Sequence, residues 1–190
     1  MPAIEEAAPR LDRVLEVGAG TGGITRLLAG RGAEVVAIDR SAAMLRVARR
    51  HLPGSLFIAA DAAALPVTAG WASAAVAGWV FGHQRSWNPD GWRLSIARCL
   101  DQMQRALMPG GISIVIETLG TGVDTPRPPP ALLDYYAWLE EERGFTRREL
   151  RTDYLFASEE EARALCGFFF GDGVAVHGAR VPECTGLWWR

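Results

Sequence analysis

The chain has 190 residues, 49% of them hydrophobic and 22% charged, with a formal net charge of -2. That length suits one domain with its own core and is short for two. The composition is that of an ordinary globular chain, and the near-neutral balance offers no basic field to collect phosphates, which argues against nucleic acid as a partner.

Cys99, Cys166 and Cys184 are scattered, with no Cys-x-x-Cys spacing. This argues against a disulfide scaffold or a zinc site and fits a reducing compartment. The opening MPAIEEAAPRLDR has no apolar core of a signal peptide, and no apolar run reaches membrane-spanning length. A cytoplasmic protein with no membrane association is therefore expected.

In chain order, Val14 to Val17 reads as a short buried strand, and Gly23 to Arg31 as a helix with Ile24, Leu27 and Leu28 on one face. Gly32 ends that helix, EVVAI (34–38) gives a second strand closed by Asp39, and Ser41 caps the helix SAAMLRVARRHL, which stops before Pro53-Gly54. Leu56 to Ala59 is a third strand running to Asp61, and Ala72 to Val80, built of small residues, is a fourth. Ile96 to Leu107 follows as a helix ended by Pro109-Gly110-Gly111, and ISIVIE (112–117) is a fifth strand. Such alternation predicts an α/β fold, with right-handed crossovers and a parallel sheet covered by helices on both faces.

Beyond Glu117 the rhythm changes. Thr118 to Pro130 is a loop rich in Gly, Thr and Pro, followed by an amphipathic helix, ALLDYYAWLEEERG (131–144), and a strand through Leu150 to Phe156. Ser158 with Glu161 forms a capping box for one more helix, and GVAVHG and ECTGLWW supply one or two closing strands. No internal repeat and no second domain are visible.

The segment VLEVGAGTGGIT (14–25) carries the chemistry. Glycines between a strand and a helix let backbone N–H groups approach a ligand that side chains would hold away. Gly18, Gly20 and Gly23 fit the G-x-G-x-x-G spacing of dinucleotide sites, so the glycines alone do not choose the ligand. Asp39, about twenty residues on at the end of the second strand, is placed to accept both hydroxyls of a ribose, which nicotinamide and S-adenosyl cofactors share. Asp61, ending the third strand, can accept from an adenine amino group. The plainer readings are a helix-capping acid for Asp39 and a turn acid for Asp61. Together with Glu16 they place acids at the carboxyl ends of successive strands, the edge where open sheets bind ligands. A charged Glu16 beside a pyrophosphate would repel it, whereas a sulfonium or an ammonium would be favoured.

The string Glu16-Val-Gly18-Ala-Gly20-Thr-Gly22, then Asp39 after EVVAI, then Asp61-Ala62, then LMPGG before a strand, resembles a class I S-adenosylmethionine-dependent methyltransferase over Val14 to Glu117. The resemblance implies S-adenosyl-L-methionine as cofactor, S-adenosyl-L-homocysteine as product, and a Rossmann-like three-layer sandwich around a mostly parallel, seven-stranded sheet whose last strand is reversed. It implies that the loop of Glu16, Gly18, Ala19 and Gly20 holds the methionine portion, and that Asp39 holds the ribose. Arg40 and Met44 would flank the adenine, Asp61 and Ala62 would meet its edge, and Gly78 and Trp79 would lie along the methionine amine and methyl. Residues 1–190 then read as a single methyltransferase domain, with a cofactor core at 14–117 and a C-terminal part, 118–190, carrying a substrate-side loop and helix. Two departures stand out. The lead before the first strand is short where many relatives carry capping helices, and Ser73 stands where an aspartate commonly opens the fourth strand. Cover for the substrate cleft is therefore expected from 118–145 or from the partner in a homodimer.

Methyl transfer from a sulfonium needs alignment, exclusion of water and sometimes removal of a proton, and no metal. His83, just past the fourth strand, is the candidate general base, with a loop-ordering histidine as the plainer reading; His51 and His177 read as structural. Trp79, Phe81, Trp87 and Trp92, with Tyr135, Tyr136 and Trp138, read as core or as an apolar pocket for a small organic acceptor. Asn88-Pro89-Asp90 lacks the second proline of amino-methylating nucleic-acid enzymes and is set aside. The mixed charges of Glu140 to Arg151 read as a solvated face. Phe168 to Phe170 and Trp188-Trp189 are expected to be buried; exposed, they would mark an oligomer interface. The leading expectation is methyl transfer to an O, N or C nucleophile of a small molecule. A catalytically silent cofactor-binding module and an NAD-dependent oxidoreductase are the alternatives, the latter without a Tyr-x-x-x-Lys pair.

Overall fold

The computed structural model describes residues 11–171, 173–174, 176 and 178–190. His177 and the opening residues 1–10 lie outside these. The first half alternates as its apolar runs demand: β1 Arg13–Val17, α1 Gly23–Ala29, β2 Glu34–Asp39, α2 Ala42–His51, β3 Leu56–Ala59 and β4 Ala72–Gly78. Two helices follow, α3 Phe81–Trp87 and α4 Trp92–Ala106, then the long β5 Leu107–Thr121. The chain continues through a 3-10 turn at Pro130–Leu132, α5 Leu133–Ala137 and a π turn at Trp138–Glu142. It closes with β6 Thr146–Arg151, β7 Tyr154–Leu155, α6 Glu159–Phe170, β8 Arg180–Val181 and β9 Glu183–Trp189.

A seven-stranded sheet has the order β3-β2-β1-β4-β5-β9-β6. The first five strands are parallel, and β9 runs antiparallel to both of its neighbours. The reversed last strand thus lies between β5 and β6. Side chains alternate between the sheet's faces. Val14, Ala74, Val76 and Ile116 meet Leu28 of α1 and Leu45 and Ala48 of α2. Leu15, Val17, Ala75 and Val115 meet Ile96, Leu100 and Met103 of α4, with Tyr135, Tyr136 and Trp138. Both faces are covered, which is why β1 and β4 are apolar nearly throughout.

Several expectations need correction. Thr25 and Leu28 are the buried residues of α1, and Leu27 is exposed. The region after β4, for which no helix is expected from sequence, contains α3, and α4 starts at Trp92 rather than Ile96. β5 runs through the Pro-Gly-Gly turn, with a register shift opposite Ala72 and Ala74, and ends at Thr121, inside the expected loop. The expected strand from Leu150 to Phe156 is split between β6 on the sheet's edge and β7, which pairs with β8. Ser158 caps α6 by accepting from Glu161 N–H (3.1 Å), but the Glu161 carboxylate accepts from Ala157 N–H (2.7 Å), one residue earlier than in the usual box. Phe168, Phe169 and Phe170 are 81%, 69% and 45% exposed, against the expected burial. Trp188 is fully buried: its ring covers Gly186, where a Cβ would lie 2.3 Å away, and its indole N–H donates to Glu140 (3.0 Å). Ser73 ties β4 to β1 at the strands' amino ends, accepting from Arg13 N–H (3.1 Å) and donating to Arg13 C=O (2.9 Å). Its place in the fold is therefore opposite the edge where the motifs gather.

Candidate functional site

The carboxyl ends of β1, β2, β3 and β4 open onto a cavity of about 910 Å³, within the roughly 300–1,000 Å³ range of small-molecule sites. After Val17 the chain turns through Gly18, Gly20 and Gly22, all at positive φ (75°, 55° and 88°), where side chains are strained. Gly18 and Ala19 N–H both donate to Ile38 C=O (2.7 and 2.9 Å), which pins the loop to β2. A Cβ on Gly18 would lie 2.2 Å from Val80 Cγ2, so only glycine lets the loop reach the opposite wall.

Asp39 fastens this loop to the next helix. Its Oδ2 accepts from Gly20 N–H (2.8 Å) and its Oδ1 from Ser41 N–H (2.7 Å). An ionised carboxylate has about four acceptor positions, so each oxygen keeps capacity for a ribose hydroxyl. Asp61 Oδ1 accepts from Ala63 N–H (2.8 Å), the turn role of the plainer reading. Both acids nevertheless line the cavity, with Gly18, Gly20, Arg40, Met44, Ala62, Trp79 and His83.

Glu16, Ala19 and Gly78 do not line it. Ala19 is buried against the α1–α2 layer, and Gly78 makes room for Ile24, whose Cδ1 would lie 2.3 Å from a Cβ there. Glu16 is 1% exposed beneath the loop and accepts from Thr25 Oγ1 (2.5 Å). Desolvation pushes its carboxyl up to about 7, against the opposing hydrogen bonds from Thr25. Its position gives no support to a role as the charged partner of a cationic ligand; it holds α1 to β1 under the glycines.

Past β4, Trp79 has a φ of 53°, a strained conformation for a bulky residue, kept by its N–H donating to Ile116 C=O (2.7 Å). α3 forms the next wall with His83, Gln84 and Trp87. The His83 and Trp87 rings stack at 5.4 Å and 19°, and the Arg40 guanidinium lies 5.1 Å from the Trp87 ring centre. Arg40 therefore links the β2 side of the cavity to α3 through a cation–π contact. Asn88, Ser95, Arg98 and Cys99 complete the far wall.

Residues 15–115 of the chain match the family described as a methyltransferase domain. The chain belongs to this methyltransferase family. It is 34% identical over 110 residues to a malonyl-[acyl-carrier protein] O-methyltransferase of Enterobacter lignolyticus, a match covering 55% of this chain and 38% of that one. It is 38% identical over 105 residues to a demethylmenaquinone methyltransferase of Renibacterium salmoninarum, covering 55% and 40%. The matches thus span about two fifths of these curated relatives' own length. A solved S-adenosylmethionine-dependent methyltransferase from Aquifex aeolicus superposes with a TM-score of 0.61 at 15% identity, over 99% of this chain and 88% of that one, which shows a shared fold.

In this methyltransferase-family chain, sequence reading missed α3 as a wall and missed Glu117. Glu117 closes the apolar run ISIVIE within β5, as Glu16, Asp39 and Asp61 lie near the ends of earlier strands. It is 3% exposed, and burial pushes it up to about 7. Among the aromatics, Trp79 and Trp87 line the cavity, whereas Phe81, Trp92, Tyr135, Tyr136 and Trp138 are core. No residue of 118–145 is among those that line the cavity. Among the described residues no helix is long and apolar enough to cross a membrane.

Glu16 and Glu117 make a pH dependence measurable. With folded values near 7 and ordinary values of 4.5, the native state holds protons that the unfolded chain has already lost. Stability is then greatest below about 4.5 and falls as pH rises through about 7. In denaturant titrations from pH 4 to pH 8, Glu16→Gln and Glu117→Gln should each flatten this fall. An unchanged slope in both would contradict the burial assigned to these carboxyls.

Proposed function

We propose that the protein binds S-adenosyl-L-methionine in this cavity and transfers its methyl group to an O, N or C nucleophile of a small molecule. The product is S-adenosyl-L-homocysteine. The observation that carries this reading is the glycine cradle closed by Asp39: Gly18 and Gly20 bring backbone to the ligand space at positive φ, Gly18 with no room for a Cβ, and a carboxylate with spare acceptor capacity sits at its edge. We assign the cofactor core to 14–117, with Gly18 and Gly20 along the methionine portion, Asp39 on the ribose, Arg40 and Met44 beside the adenine, and Asp61 and Ala62 at its edge. Trp79 faces the methyl end. Glu16, Ala19 and Gly78 act from behind, by shaping the loop and seating α1.

The chemistry asks little of the protein. The acceptor's lone pair forms the new bond to the methyl carbon as the carbon–sulfur bond breaks, and that electron pair stays on sulfur. Alignment and exclusion of water are the protein's share, with His83 taking the proton when the acceptor must lose one. The two relatives are named for chemically unlike acceptors, one on an acyl carrier and one a quinone precursor, so the family leaves the acceptor open. The aromatic and polar wall of Trp79, His83, Gln84 and Trp87 supports a small organic one.

Calorimetry tests the cofactor half. S-adenosyl-L-homocysteine should bind the native protein and NAD should not, and Asp39→Asn should weaken binding roughly tenfold or more by removing a charged acceptor. Equal binding of NAD, or an unaffected Asp39→Asn, would overturn the assignment. His83→Ala should slow methyl transfer by about 10²-fold or more while leaving S-adenosyl-L-homocysteine affinity intact; a rate equal to the native one would remove His83 from the chemistry.

A further inference from the structure

Resting on the function proposed above, we propose that Glu117 is the positioning residue of the acceptor wall: its buried carboxylate fixes the start of α3 and so places His83, Gln84 and Trp87 on the cavity. α3 is seven residues long, has no side-chain cap and carries no acid in its first turn. A helix so short does not hold itself, so its position must come from tertiary contacts. Glu117 Oε1 supplies the first, accepting from Phe81 N–H (3.0 Å) and Gly82 N–H (2.9 Å). Gly82 permits the approach, because a Cβ there would lie 3.0 Å from Glu117 Oε2.

Glu117 Oε1 also accepts from the Tyr135 hydroxyl of α5 (3.4 Å), itself fully buried. A second tie joins the same two helices. Arg85 of α3 meets Asp134 in a two-pronged pair, Nε to Oδ1 at 3.1 Å and Nη2 to Oδ2 at 2.9 Å. The segment 118–145 therefore reaches the cavity at second hand, by bracing the helix that forms its wall. One residue upstream of Glu117, Ile116 C=O holds the strained Trp79. Ile116 and Glu117 of β5 thus set both sides of the space beyond the expected methyl position.

A buried carboxylate is a costly way to fill a core when apolar residues would pack as well, and it repays that cost only through the hydrogen bonds it makes. The hydrogen bonds of Glu117 go to the start of α3 and to Tyr135. Its carbonyl-like Oε1 is the working atom, which predicts that glutamine can substitute where alanine cannot.

The test compares native protein, Glu117→Ala, Glu117→Gln and Arg85→Ala by three readouts: hydrogen exchange of amides 81–87, the NMR shifts of the His83 ring protons, which the stacked Trp87 ring displaces, and calorimetric affinity for S-adenosyl-L-homocysteine. Glu117→Ala should speed exchange across 81–87 by about tenfold or more and abolish the His83 displacement, with affinity held within about twofold. Glu117→Gln should restore both. Arg85→Ala, which keeps the Glu117 contacts, should give a smaller effect in the same direction, and it carries the test if Glu117→Ala does not fold. Native exchange and native His83 shifts in both the alanine variants would overturn the proposal, as would a Glu117→Gln protein that behaves like Glu117→Ala. A native protein that fails to bind S-adenosyl-L-homocysteine would overturn the function proposed above, and the acceptor wall with it, whatever the exchange results.

Discussion

Asp39 grips two backbone N–H groups at once, one from the glycine loop and one from the start of α2. Without that grip the loop would be a string of glycines at positive φ, with large conformational freedom and no fixed shape. With it, and with Gly18 and Ala19 donating to Ile38 C=O, the loop becomes a rigid lip on the cavity. Val80 sets how far the lip can advance, because nothing larger than hydrogen fits at Gly18. The ligand space, the approach of α1 and the register between β1 and β2 all follow from this junction.

The strand-end acids divide by depth. Asp39 and Asp61 reach the cavity, each with one or both oxygens already engaged by nearby backbone N–H groups. Glu16 and Glu117 lie behind it on opposite faces of the sheet, desolvated and bound to the elements they hold, α1 through Thr25 and α3 through its first two N–H groups. The outer pair can meet a ligand. The inner pair fixes the helices that frame it. Charge at a sheet's edge thus serves recognition or architecture according to burial alone.

How much of this was legible depended on where each signal resided. The strands β1 to β5 and their order of alternation were readable because buried parallel strands are continuous apolar runs punctuated by Gly and Asp. The cavity residues of the glycine loop, Asp39 and Asp61 followed from that frame and from the family resemblance. The burial of Glu16 was not legible because sequence gives the residue's position but not its depth, and Thr25, which captures it, lies in the first turn of the next helix. α3 was invisible for a physical reason: its cap is Glu117, 35 residues away from Gly82. β6 was misplaced because an exposed edge strand, TRRELR, offers only Leu150 to the core and so leaves no alternating apolar pattern. The Phe168–Phe170 run read as core on composition, but α6 buries only Ala162 and Cys166.

The most direct measurement is a crystal structure of the protein with S-adenosyl-L-homocysteine. Both ribose hydroxyls should donate to the Asp39 carboxylate, with the homocysteine portion lying against the backbone of Gly18 to Gly20 and the sulfur directed toward Trp79 and His83. A ligand bound elsewhere, or one that leaves Asp39 without a contact, would contradict the account.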